Sequence, residues 1–224
     1  VPFGLYRGQA THEGKLIVSG ESLDACGKIA MKGVELQSGL FHLLDGHIHS
    51  EHTGVNIASF QDKHVRLMTS DVETHIDMAA AKAKFVNNAA SNCIDFASSR
   101  YSCSFESFTW YMNQGILNIG VEDSCRLAAL WKKGMQEIPP VAGNRFISTD
   151  PLADSLGFTA PQVRYDLEKG NIACRGVRYI DLANGRFFPE NGEVNIGADG
   201  KIRKFVNGKL QCDAADTPKS LTGV

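Results

Sequence analysis

The stretch DVETHIDMAAAKAKFVNNAA, residues 71–90, decides how the chain is read. It is rich in alanine, and Val72, Ile76, Ala79, Ala83 and Val86 fall close to one face at helical spacing. The pattern predicts a helix over 71–90 whose end is weakened by Asn87-Asn88.

Immediately upstream, residues 55–60 and 64–69 predict a hairpin joined by the polar Gln61-Asp62-Lys63. The first forty residues predict short strands with tight turns. Segments 3–9 and 15–19 flank a His12-Glu13-Gly14 turn, and 28–36 alternates around Gly33. Downstream come a polar segment at 98–107, an apolar strand at 116–121, and a helix at 125–136 stopped by Pro139-Pro140. A compact helical piece is expected over 151–169, followed by glycine-punctuated strands from 172 to 210 with a hairpin turn at Asn191-Gly192. The expected fold class is α+β: a strand-rich, barrel- or sandwich-like N-terminal half, two or three packing helices, and a β-rich C-terminal third. Residues 1–138 form the main domain in this reading. Residues 139–224 form a helical hairpin plus β extension packed on the same core.

Composition narrows the function classes. The 224 residues are 43% apolar and 21% charged, as in ordinary globular domains, and the net charge of -2 supplies no basic face for nucleic acid. No apolar run approaches the length of a membrane-spanning helix. The Val1-Pro2-Phe3-Gly4 start lacks the basic and apolar regions of a signal peptide. The six cysteines (26, 93, 103, 125, 174 and 212) form no CxxC pair, which excludes common structural zinc modules and thioredoxin-like motifs. They read as buried thiols or as three disulfides. The expected location is the cytoplasm of a host cell or the interior of a viral particle.

Imidazoles are unevenly distributed: six of the seven histidines lie between His42 and His75. In Leu43-Leu44-Asp45-Gly46-His47-Ile48-His49, a spacing of two projects His47 and His49 from one face of a strand, which suits two ligands on one metal ion. The run resembles the Asp-x-His-x-His signature of amidohydrolases. With His52 as a further ligand, it gives a metal-dependent hydrolase as one reading.

A second reading starts from Ala97-Ser98-Ser99-Arg100, because a serine nucleophile needs an imidazole base and a third polar group to orient that base. Residues 16–128 resemble the prohead (capsid-maturation) serine proteases of tailed bacteriophages, which share a core with herpesvirus assembly proteases. The resemblance rests on four pieces in order: the turn Asp24-Ala25-Cys26-Gly27-Lys28, the apolar approach to His47, the Ser98-Ser99-Arg100 turn, and the strand ending Val121-Glu122-Asp123. It implies Ser98 as nucleophile, His47 as base and Asp123 as third member. Ser99, His49 and His52 are alternates, and the oxyanion is held near Arg100. It implies no cofactor, and it implies capsid or scaffold proteins as partners.

A third pattern, Ala153, Gly157 and Val163, has helix-turn-helix spacing and looks like the start of a MerR-type DNA reader. Asp166 and Glu168 offset Arg164 and Lys169, so the helix has no surplus charge for phosphates and reads as a structural hairpin. Three classes follow: a capsid-maturation serine protease, a non-catalytic structural or assembly protein working as a homo-oligomer or subunit, and a metal-dependent hydrolase.

Overall fold

The computed structural model describes residues 2–120, 143–151, 156–183, 185–212 and 219–222. Among them there are twenty β-strands, all paired antiparallel, and one 3-10 turn at Tyr6–Gly8 in place of any packing helix. The α+β expectation is therefore corrected to all-β.

The chain opens with a short strand, β1 (Phe3–Leu5), and then a meander of long ones. These are β2 (Ala10–Val18), β3 (Leu23–Met31), β4 (Val34–Leu44), β5 (His47–Ala58) and β6 (Val65–Asp77). The predicted 55–60/64–69 hairpin is the β5–β6 turn. The expected His12-Glu13-Gly14 turn is instead interior to β2, where a Cβ on Gly14 would run into the Cys26 carbonyl and φ is +144°.

At β6 the ladder forks. Residues 72–77 pair with β7 (Lys82–Asn87). Leu67 and Met68 pair with the hairpin β8 (Cys93–Phe96) and β9 (Tyr101–Ser104). Later hairpins then alternate between the two branches. β10 (Ser107–Tyr111) and β11 (Ile116–Gly120) extend the β7 branch, and β12 (Asn144–Ser148) and β13 (Gly157–Ala160) extend the β9 branch. β14 (Gln162–Asp166) and β15 (Asn171–Arg175) return to the first branch, and β16 (Ile180–Leu182) and β17 (Gly185–Pro189) to the second. β18 (Glu193–Ile196) closes the first branch on β15. β19 (Asn207–Gln211) and β20 (Lys219–Thr222) close the second on β17. The Asn191-Gly192 turn joins β17 to β18, which do not pair with each other, so it is a crossing between branches and no hairpin.

The branches pack face to face on one core. Phe96 of β8 meets Tyr165 of β14 edge-on at 5.1 Å across the core, and within the second branch Phe146 stacks on Phe158 at 5.1 Å. Glu168, beyond β14, accepts from the Ser59 hydroxyl (3.1 Å) and the Phe60 amide (2.8 Å), tying one branch to the turn of the other. Since β6 serves both branches, it must turn between them. The burial pattern locates that turn: inward residues run 67, 69 and then 72, 74, 76, and the parity switches beside Asp71 at φ +49°. β5 switches between Ser50 and Thr53, and β4 between Ser38 and Phe41. Three neighbouring strands thus carry an extra residue at one level, which bends the sheet while keeping apolar side chains inside.

The expected helix over 71–90 is therefore β6, a turn at 78–81, and β7. The helical piece expected over 151–169 contains β13 and β14, so the helix-turn-helix reading fails: Gly157 and Val163 are strand residues, and Ala153 lies outside the described residues. The helix expected over 125–136 and the Pro139-Pro140 boundary also lie outside them.

Candidate functional site: a histidine row on the outer sheet face

Antiparallel pairing places side chains of neighbouring strands directly opposite one another. At one level it aligns Asp24 of β3, His42 of β4, His49 of β5, His75 of β6 and Lys84 of β7. Their inward neighbours along the strands, Leu43, Ile48, Ile76 and Ala83, are buried, so the row faces outward. The His42 and His49 rings stack at 6.0 Å, and those of His49 and His75 at 4.5 Å. Each outer histidine is paired with a carboxylate: His42 Nδ1 lies 2.9 Å from Asp24, and His75 Nε2 lies 2.8 Å from Glu73, two residues earlier on the same face. The middle ring differs, because His49 Nδ1 is buried with no hydrogen-bond partner. Ligand atoms of His49, Glu73 and His75 all lie within 4.8 Å of one another. A surface depression of about 660 Å³ borders Asp24, His42 and His49, with Val18, Leu43 and Leu44 beside them.

The metal set expected from sequence, His47, His49 and His52, is not brought together. His47, at the start of β5, is occupied on both sides, with Nδ1 2.8 Å from the Asp45 carbonyl and Nε2 3.6 Å from Asp77. His52 lies past the bend, with Nδ1 2.6 Å from Asp71 and Asn88 alongside. The Asp71 hydrogen bond raises the His52 pKa, and the same bond, with one from Asn88, lowers that of Asp71. Sequence reasoning missed His75 and Glu73 because both fell in the expected helix, where neither would face His49.

The serine set is also dispersed. Ser98 and Ser99 occupy the β8–β9 turn, and both hydroxyls are buried without a well-formed hydrogen bond. Tyr165, whose pKa is raised chiefly by burial, lies beside Ser98, and its own hydroxyl is likewise buried without a partner. The Ala97 amide donates to the Arg66 carbonyl of β6 (3.2 Å), and Leu67 pairs with both Phe96 and Ile57, so the serine turn sits towards the far end of β5. Ile57 lies five residues beyond His52, on the order of 16 Å of strand, and His49 and His47 are further still. Neither serine hydroxyl has an imidazole as a hydrogen-bond partner. Asp123 lies outside the described residues. The backbone N–H of Arg100 already donates to the Phe96 carbonyl (3.0 Å) and its side chain to Asp150 (3.3 Å), which leaves that amide no capacity to hold an oxyanion.

No known protein-family model matches the chain, and no curated protein is similar to it.

Proposed function

We propose that this chain is a non-catalytic structural subunit of a larger assembly, and that it associates with a second copy of itself by pairing along the outer edge of β2. The observation that carries this reading is the exposed ladder edge at residues 13–18. β1 covers only Ala10, Thr11 and His12, and among the described residues nothing pairs with the rest of that side of β2. Unpaired edges invite strand addition, and folded proteins usually blunt them with proline, charge or a covering segment. Here the edge has no proline, and beyond the charged Glu13 and Lys15 it ends in Ile17 and Val18, which are 41% and 78% exposed. The far edge of the same branch is covered. Arg203 donates its backbone N–H to the Asn195 carbonyl of β18 (2.8 Å), and an Ile196–Ile202 bridge adds to that cover.

An antiparallel edge is self-complementary about a two-fold axis, the commonest symmetry of homo-oligomers. A net charge of -2 offers little repulsion between copies. The protease reading is not carried forward, because proton transfer demands hydrogen-bonding distance and neither serine hydroxyl has a hydrogen-bond partner.

Light scattering tests the proposal. The chain is expected to be a dimer or larger at high micromolar concentration. The double variant Ile17→Lys/Val18→Lys is expected to be a monomer with unchanged circular dichroism, since both side chains already face water. A monomeric parent chain, or a double variant that still dimerises, overturns the proposal.

A further inference from the structure

We propose that His49, Glu73 and His75 form a binding site for one zinc-class divalent ion on the outer face of the sheet. The argument is geometric. A tetrahedral ion with bonds of about 2.0 Å to nitrogen and oxygen holds its ligand atoms about 3.3 Å apart. Glu73 and His75 already stand 2.8 Å apart, and the full set lies within 4.8 Å, so closing the site asks only for a shift of about an ångström or two by His49. Strand geometry supplies two ligands from alternate residues of β6 and the third from directly opposite on β5, which makes the backbone of the site rigid.

A second observation points to a ligand. The buried Nδ1 of His49 has no partner, although buried polar atoms are normally satisfied. Two imidazoles and a carboxylate match the ligand preferences of zinc and leave a fourth position for water. Glu73 and His75 are partly exposed, with side-chain exposures of 37% and 49%, so an ion can reach them from solvent. The Asp24–His42 pair stands one strand away, and the His42 ring it holds stacks on His49. This site is independent of the β2 edge, and its test does not depend on oligomeric state.

The test is calorimetric titration of zinc chloride into the full chain after chelator treatment and dialysis. One saturable equivalent per chain is expected, with a rise in melting temperature that chelator reverses. His75→Ala and His49→Ala are expected to lose that equivalent, and Glu73→Gln to weaken it roughly tenfold or more. His47→Ala, His52→Ala and Cys212→Ser are expected to keep it, which separates this set from the other surface imidazoles and the exposed thiol. His75 is on the surface, so its variant is informative even if His49→Ala folds poorly. Absence of saturable binding by the parent chain, or binding retained in His75→Ala, overturns the proposal.

Discussion

At the scale of single residues, the bend in the sheet is marked by an ion pair whose pH behaviour can be measured. The raised pKa of His52 means that its partner favours the folded state below the ordinary value of 6.5, and the gain is lost as pH rises through the raised folded value. The lowered pKa of Asp71 contributes above 3.8 and is lost as pH falls through the depressed folded value. The pair therefore acts most fully between about pH 4 and pH 6.5. In Asp71→Asn, NMR titration of His52 is expected to move back towards 6.5, because both the hydrogen bond to a carboxylate and its charge are gone. An unchanged titration would mean that Asp71 does not set it. Asparagine tolerates the left-handed backbone at this position, so the variant isolates the charge. The same scale shows what the sequence made legible in the candidate site. Spacing two correctly put His47 and His49 on one face of a strand. It gave no hint of His75, twenty-six positions beyond His49 by their numbering, because cross-strand register is set by pairing and not by local spacing.

At the scale of elements, the long strands are held at the bend by buried hydroxyls. Ser38 Oγ donates to the His52 carbonyl (2.6 Å), stands 2.9 Å from Ser50 Oγ, and accepts the Leu40 amide (3.1 Å). These bonds replace ladder pairing that the extra residues in β4 and β5 interrupt. Ser38→Ala leaves those groups without their partner and is expected to cost about 1–3 kcal/mol in chemical denaturation. A loss below a few tenths would mean that water or backbone relaxation replaces the hydroxyl. The bend also explains why residues 71–90 misled. Val72 and Ile76 are four apart, a spacing that is close to one helical turn and also an even number, so it fits a strand face as well. Alanines in the β6–β7 turn tipped the local preference towards helix, and the pairing of β7 with β6 and β10 overrode it. Where a polar turn set off an alternating pair, as at 55–60 and 64–69, or glycines punctuated the chain, as over 172–210, strands were legible.

At the scale of the whole molecule, the alternation of hairpins between two branches builds one continuous core lined by Phe41, Phe85, Phe96, Phe108, Trp110, Phe146, Phe158 and Tyr165. A core this dense explains why the serine turn is buried against aromatic rings and the row of His42, His49 and His75 is confined to the outer face. The branching order was not legible, because pairs such as β9–β12 and β11–β14 join segments some forty residues apart. The architecture closes one end of the first branch on itself and leaves the β2 end open, and that asymmetry is the basis of the assembly proposal. Hydrogen exchange of the backbone amides at residues 13–18, followed at low and high protein concentration, tests it most directly. The account predicts that those amides become slower to exchange as concentration rises, while amides of the β18 edge do not change. Equal exchange across residues 13–18 at every concentration would contradict it.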